Sequence, residues 1–151
     1  MKKIFKALSV CLCAVVLLGG CGASKEAVFN YKAEGTEVKE TITYKGDKVE
    51  KEVIVSTLTY DKLPEKELKE LKTEMDKSLK ELQGIIGVIA TCDVTDTKTV
   101  SKIEIDYKNN LESLIDAGYV VGEKEGQRPD YLSYKNVKSN LNKEGFVEVK
   151  E

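Results

Sequence analysis

Between residues 26 and 60, apolar side chains alternate with polar ones, and turn-forming segments interrupt the alternation at Gly35 and at residues 45–48. Such alternation is typical of strands with one buried face, and turns this short join antiparallel neighbours. The segment therefore predicts a three-stranded antiparallel meander. Its phase changes near residues 53–55, which indicates a β-bulge or a section buried on both faces. The apolar positions behind this prediction are Phe29, Tyr31, Ala33, Val38, Ile42, Tyr44, Val49, Val53, Ile54, Val55, Leu58 and Tyr60.

From residue 64 onward the apolar spacing becomes that of a helix. Pro64 suits a first helical turn, and Gly84 offers a C-terminal cap. Two β-rich runs at residues 85–94 and 100–107 then predict a second hairpin. The apolar stripe of the predicted helix consists of Leu68, Leu71, Met75, Leu79 and Leu82.

The C-terminal part of the chain predicts two shorter helices and a last short strand. Asn109 or Asn110 is the candidate N-cap of the first helix, and Ser133 is the candidate N-cap of the second, which ends at Gly145. The whole pattern predicts an α+β fold in a single domain at residues 26–151. A mostly antiparallel sheet, made from the three-stranded meander and the hairpin, carries helices packed on one face.

A leader-like segment precedes this domain. A stretch with three lysines is followed by the apolar run Ala7 to Leu18, too short to cross a bilayer stably, and then by small residues before Cys21. The segment resembles a bacterial lipobox, which implies cleavage after Gly20 and acylation of Cys21. We expect a signal peptide at residues 1–20 and a lipidated cysteine with a short tether at residues 21–25. The alternatives are ordinary secretory cleavage with Cys21 left free, or an uncleaved N-terminal helix.

The charge of the chain narrows the classes of binding partner. The predicted signal peptide contains three of the 24 Lys and Arg residues and none of the 26 Asp and Glu residues, which leaves a net charge of about −5. This balance argues against nucleic acid and anionic lipid head groups as main partners, while it leaves room for a local basic patch.

The cysteine content of the mature chain is low. Cys11 and Cys13 leave with the signal peptide, so lipidation of Cys21 leaves Cys92 without a disulfide partner. We expect Cys92 to behave as a small buried hydrophobe, with a reactive role as the alternative.

The chain contains no histidine, which removes the commonest general base and metal ligand. Asp93, Asp96 and Asp106 lie close together in the predicted hairpin and are candidates for carboxylate catalysis or calcium binding. The alternative, which the pattern favours, is ordinary turn chemistry. No glycine-rich phosphate-binding motif is present in the sequence, and we expect no cofactor and no enzymatic activity.

Tyrosines supply a further hypothesis. Tyr31, Tyr44 and Tyr60 fall on the predicted meander, and on a common face they would line a groove for an apolar ligand, a glycan or a peptide. The alternative places their rings in the core with the hydroxyls at its edge. The segment at residues 122–130 is a second candidate recognition element, because it is the most loop-like part of the domain.

Four segments carry a resemblance to a known family: residues 41–49, residues 83–88, residues 102–107, and the closing helix before residues 145–146. Over most of residues 26–150 the chain resembles the YehR-like lipoproteins. The resemblance implies a small α+β lipoprotein domain on the outer side of a bacterial membrane. It brings no established substrate.

These observations together predict a membrane-anchored envelope lipoprotein that serves as a non-enzymatic binding or adaptor module. Its expected contacts are the membrane, through the lipid on Cys21, and an envelope protein or small ligand. The alternatives are a solute-binding lipoprotein, which a pocket of several hundred cubic ångströms would favour, and an enzyme. A convergent pocket containing Asp93, Asp106 or Cys92 would favour the enzyme.

Overall fold

The computed structural model describes residues 22–121 and 128–149, so the predicted signal peptide and Cys21 lie outside the described residues. Within them, six strands form one antiparallel sheet in the order β4-β5-β3-β2-β1-β6. The predicted α+β class, with a meander and a hairpin joined in one sheet, is confirmed. The elements are β1 (Lys25–Ala33), β2 (Thr36–Lys45), β3 (Lys48–Thr59), α1 (Glu65–Gln83), β4 (Val88–Val94), β5 (Lys98–Asp106), α2 (Tyr107–Asp116), α3 (Tyr134–Lys143) and β6 (Val147–Glu148).

A β-bulge interrupts the pairing of β2 with β3. Thr43 pairs with Lys51 and Tyr44 with Val49, so that Glu50 is the extra residue. The bulge therefore precedes the phase change at residues 53–55, where all three side chains are half-buried. An extra residue exchanges the two faces of a strand, which is why the apolar alternation changes phase downstream of it.

One face of the sheet carries the core. Phe29 on β1 and Ile42 on β2 are fully buried, and Leu114 of α2 and Leu141 of α3 pack into the same cluster. Partly buried Leu82 of α1 joins them, so all three helices contribute to this face. The predicted arrangement of helices on one face is confirmed.

The opposite face of the sheet carries both polar and apolar side chains. Glu104 on β5 accepts hydrogen bonds from Lys102 and Lys51, and the two ammonium groups lower the pKa of its carboxyl to about 2. Lys51 reaches Glu104 from the neighbouring strand β3, and Val53 stands opposite Glu104 in the register. A sheet with one core face and one face open to solvent is typical of antiparallel architectures.

Helix α1 lies along the edge strand β4 and contains no fully buried residue. Its apolar stripe is half-buried, and Gln83 Nε2 donates a hydrogen bond to the carbonyl of Ala90, 3.0 Å away, where the helix meets β4. Pro64 and Gly84 flank the helix as predicted. Because α1 covers only the sheet edge, its stripe stays partly open to solvent.

The two shorter helices differ in how well their caps follow from sequence. Ser133 caps α3 as predicted, accepting a hydrogen bond from the backbone N–H of Asn136. The prediction of Asn109 or Asn110 as cap of α2 is wrong. The cap is Asp106, whose carboxylate accepts the backbone N–H of Asn109 at 3.2 Å and its side-chain amide at 2.7 Å. Asp106 ends β5, so a strand terminus and a helix cap share one residue.

The packing at the turn between α1 and β4 can be tested with two glycines of positive φ. Gly87 lies in that turn, and Gly118, after α2, serves as its control. Gly87 has φ +93°, and a Cβ there would lie 2.6 Å from Cβ of Asn110, whereas Gly118 has φ +80° with open space around it. We expect Gly118→Ala to cost about 1–2 kcal/mol through backbone strain alone. Gly87→Ala adds overpacking of about 1–3 kcal/mol. Urea unfolding followed by circular dichroism measures both, and equal losses would contradict the packing described here.

Candidate functional site

A groove of about 500 Å³ runs between α3 and the segment that precedes it. This volume is within the usual range for small-ligand sites. One wall is polar and belongs largely to α3, and the other is mostly apolar. The described lining residues are Val120, Val121, Pro129, Asp130, Tyr131, Leu132, Ser133, Asn136, Val137, Ser139, Asn140 and Lys143.

The polar wall follows from the helical spacing of α3. Asn136, Ser139, Asn140 and Lys143 recur at intervals of three and four residues, which places them on one side of the helix. Leu141 is buried on the other side, against the sheet. The helix therefore presents amide, hydroxyl and ammonium groups to the groove while its apolar side holds it in the core.

The segment at residues 128–133, called the strap below, closes the other side of the groove and is fixed at both ends. Arg128 donates to Glu112 and Asp116 on α2, at 2.6 and 3.0 Å. At the other end, Leu132 accepts the backbone N–H of Val49 at 2.9 Å. Exposed ion pairs contribute little energy singly, but one guanidinium that reaches two carboxylates restricts the direction of the chain.

Asp47, in the turn between β2 and β3, holds the point where the strap enters α3. Its carboxylate accepts the Ser133 hydroxyl at 2.9 Å and the backbone N–H of Lys135 at 3.0 Å. Its carbonyl accepts the backbone N–H of Tyr134 at 2.7 Å. Three hydrogen bonds to one turn residue set the position of the helix start, and hence of the groove wall.

The three tyrosines predicted to share a groove are not brought together. Tyr31 packs against Phe146, and Tyr44 stacks on Tyr134 with ring centroids 3.7 Å apart. Tyr60 donates to the carbonyl of Thr95 at 2.8 Å. On the sheet, the partner of Tyr31 lies six residues from Tyr44 along β2, roughly 20 Å away. None of the three is among the lining residues of the groove, and their ligand-binding role stays a prediction.

The carboxylates of the second hairpin are also dispersed. Asp93 faces Val100 at one end of β5, whereas Asp106 caps α2 at the other end. Asp96 lies in the turn, 3.6 Å from Lys62. Cys92 is a free, partly buried thiol, and burial together with the nearby Asp93 raises its pKa. A raised pKa lowers the thiolate fraction and with it the nucleophilicity of Cys92.

The core face contains a buried acid pair that the sequence patterns did not predict. Glu40 and Glu52 are 5% and 9% exposed and lie on adjacent strands within hydrogen-bonding reach of each other. The Tyr107 hydroxyl donates to Glu52 Oε2 at 2.7 Å, whereas Oε1 of Glu40 has no hydrogen-bond partner among the described residues. Burial, followed by the hydrogen bond and charge of Glu52, raises the pKa of Glu40 to about 9. Glu40 is therefore protonated at neutral pH and supplies the proton that the two carboxyl groups share.

The sequence does contain a signal for this pair. Glu40 stands two residues after Val38 and two before Ile42, at the inward phase of β2. A carboxylate at an inward position of an alternating strand needs a partner or a proton. The pair does not line the groove, and solvent barely reaches either carboxyl group.

The part of the chain that the structure describes shows neither a metal-binding cluster nor a membrane-spanning helix. Residues 22–121 and 128–149 hold no group of three or more Cys, Asp or Glu side chains placed to bind a metal ion. Among the described helices, none combines the length and apolar character needed to cross a membrane.

Comparison with known proteins places the chain among proteins of undetermined activity. A family model described as "Protein of unknown function (DUF1307)" matches residues 25–147. The uncharacterized lipoprotein Lin0239 of Listeria innocua is 29% identical, with 100% of this chain and 98% of the relative covered. The uncharacterized lipoprotein Lmo0207 of Listeria monocytogenes is 35% identical, with 71% and 70% covered.

A solved structure has the same fold. The NMR structure of the Escherichia coli YehR protein matches with a TM-score of 0.54 and 21% identity, and 85% of this chain and 93% of that chain are covered. These matches confirm the resemblance drawn from the sequence motifs.

Protonation of Glu40 predicts how stability depends on pH. Its pKa is higher in the folded protein than in the unfolded chain, so the folded state binds the extra proton between about pH 4.5 and 9. The free energy of unfolding should therefore fall as pH rises through this range, by up to about 1.4 kcal/mol per pH unit. Glu40→Gln, which keeps a neutral side chain, should remove that slope, and the exposed Glu74→Gln should keep it. Urea unfolding across this pH range tests the assignment, and an unchanged slope in Glu40→Gln contradicts it.

Proposed function

Because this chain belongs to the YehR-like family of unknown function (DUF1307), we propose that it is a non-enzymatic, lipid-anchored binding module of the bacterial envelope. The groove between the strap and α3 is its ligand site. The ligand is a small molecule rich in hydroxyl and amide groups. The observation that carries the proposal is the groove itself, with a polar helical wall facing an apolar one.

The anchor is supported by the sequence and by the relatives. Both Listeria relatives are named lipoproteins, and this chain has a lipobox-like segment that ends at Cys21. Strand β1 begins at Lys25. Even fully extended, residues 22–25 span only about 14 Å. Lipid on Cys21 thus holds the domain close to the extracytoplasmic surface of the membrane.

The chemistry of the groove indicates its ligand class. Asn140 offers an amide that both donates and accepts, and Ser139 offers a hydroxyl. Tyr131, which is 43% exposed, adds a flat apolar surface beside them. Amides and hydroxyls near an aromatic ring suit a neutral ligand with both group types, such as an oligomer of N-acetylglucosamine.

A binding role fits the placement of reactive groups better than catalysis does. Glu40 of the acid pair has the strongly raised carboxyl pKa typical of an acid catalyst, yet the pair is buried away from the groove. Cys92 and the hairpin carboxylates are also absent from the lining. The buried pair is better explained as a structural element of the sheet.

Ligand binding is tested by blocking the groove. Titration of the protein with tri-N-acetylglucosamine, followed by amide NMR shifts, should perturb residues 130–143 and leave α1 unchanged. Ser139→Arg places a long charged side chain in the groove and should abolish the shifts, whereas Ser78→Arg on exposed α1 should preserve them. If the unmodified protein shows no shifts, or if the two variants show equal shifts, the groove is not the ligand site.

Anchoring is tested by removing the acylated thiol. Cys21→Ala should move the protein from the membrane fraction to the soluble fraction, because two or three acyl chains supply the anchor and each buried methylene contributes about 0.8 kcal/mol. The circular dichroism spectrum should stay that of the folded domain. Retention of the variant in membranes would be inconsistent with lipid anchoring at this cysteine.

A further inference from the structure

Several segments converge at the end of the sheet where β1 begins, which is called the tethered end below. The hydroxyl of Ser24 bonds to Glu50 at the β-bulge, and Lys108 at the start of α2 lies 3.1 Å from the same carboxylate. Gly87, between α1 and β4, lies against Asn110 of α2. The tether, the bulge and the starts of α2 and β4 therefore form one contiguous surface.

Lysines surround the tether on this surface. Lys25 opens β1 and lies opposite Tyr44, next to Lys45, which pairs with Lys48 across the β2–β3 turn. Lys135 is placed beside that turn through its backbone hydrogen bond to Asp47. With Lys108, these residues give five exposed lysines within one end of the domain.

The carboxylates of the tethered end are mostly recessed. Asp47 and Asp106 are half-buried and accept backbone N–H groups, while the side chain of Glu50 is 12% exposed and is held by Ser24 and Lys108. Glu26 beside Lys25 is exposed. Because most of its carboxylates are recessed, the solvent-exposed charged groups of the tethered end are mainly ammonium groups.

Two lysines at the opposite end of the sheet are ion-paired. Lys32 is paired with Glu37, and Lys62 lies 3.6 Å from Asp96. At the tethered end, Lys25, Lys45, Lys48 and Lys135 have no ion-pair partner within 4 Å among the described residues. Lys98 at the opposite end also lacks such a partner, so what distinguishes the tethered end is the grouping of four unpaired lysines around the tether. Such a group is available to an external partner.

An exposed apolar side chain accompanies the lysines. Ile86 lies in the turn between α1 and β4 and is 67% exposed. The next residue, Gly87, contacts Asn110, two positions from Lys108. Ammonium groups beside an exposed aliphatic side chain match a membrane interface, where phosphates and acyl chains meet.

We propose that the tethered end is a membrane-docking surface that binds the anionic phospholipid head groups of the membrane in which the chain is anchored. This inference rests on the proposed lipid anchor. The anchor holds the domain at the membrane, and the lysines fix which end faces the lipid. The acidic balance of the whole chain does not oppose this, since screening confines electrostatic attraction to charges within roughly 10 Å of the surface.

The test is lysine footprinting of the lipidated mature protein, which begins at Cys21, added to preformed vesicles. One set contains phosphatidylcholine alone, and the other contains equal parts of phosphatidylcholine and phosphatidylglycerol. A membrane-impermeant acetylating reagent modifies accessible lysines, and mass spectrometry quantifies each site. Lys25, Lys45, Lys48 and Lys135 should react about fivefold more slowly on the anionic vesicles, equivalent to about 1 kcal/mol. Lys62, Lys66 and Lys98 at the other end should react equally on both.

A charge-reversed variant and its matched control complete the test. Lys45→Glu, Lys48→Glu and Lys135→Glu together should abolish the protection of Lys25, while Lys62→Glu, Lys66→Glu and Lys98→Glu should preserve it. Circular dichroism verifies the fold of both. Equal reaction of the tethered-end lysines on the two vesicle types overturns the proposal, as does equal protection of the opposite end. Free hexametaphosphate that reproduces the protection without vesicles would also overturn it.

Flotation separates this inference from the proposed anchor. A lipid-anchored chain floats with both vesicle types, whether or not its lysines are protected. Floating with equal lysine reactivity therefore overturns docking and leaves the anchor intact. Failure to float with phosphatidylcholine vesicles overturns the anchor, and with it the docking that rests on the anchor.

Discussion

Asp47 fixes the relation between the sheet and the C-terminal third of the chain. Its backbone carbonyl and both carboxylate oxygens accept hydrogen bonds from residues 133–135, at the start of α3. The strap and α3 cover the open side of the core and supply both walls of the groove. Lys135 is placed at the tethered end by one of the same bonds. A single turn aspartate thus positions the core cover, the candidate ligand site and part of the docking surface.

The buried acid pair imposes a second constraint on the same sheet. Glu40 and Glu52 occupy positions where apolar side chains would stabilise the core, and only a shared proton and the Tyr107 hydroxyl offset their burial. The pair places three polar groups from β2, β3 and α2 in mutual contact. Since an unpaired buried carboxylate is costly, this arrangement disfavours any shift of register between β2 and β3.

The proposed anchor, docking surface and groove are connected through the turn between β2 and β3. Lys45 and Lys48 flank that turn, and the strap contacts it through Leu132 and Ser133. If the tethered end rests on the membrane, the groove begins close to the lipid surface. The ligand class proposed from its amides and hydroxyls is consequently one present near the outer side of the membrane.

Local sequence determined the elements, because strand alternation, helical spacing and cap residues act within a few positions. The meander, the long helix after Pro64 and the Ser133 cap all follow from such patterns. The cap of α2 did not follow from the local pattern. Asp106, Asn109 and Asn110 all have cap-forming side chains, and the end of β5 decides which of them caps the helix. Family membership was also readable from sequence, because its signals are turn and core motifs.

Tertiary structure alone decided which distant residues meet. The three tyrosines share the meander but lie in separate contacts, whereas Glu40, Glu52 and Tyr107 form a cluster across three elements. The groove and the tethered-end lysines likewise combine residues far apart along the chain. The physical reason is the register of the sheet, which long-range pairing fixes and local periodicity leaves open. The sequence therefore determined what each segment becomes, and the pairing of the strands decided where its chemistry is placed.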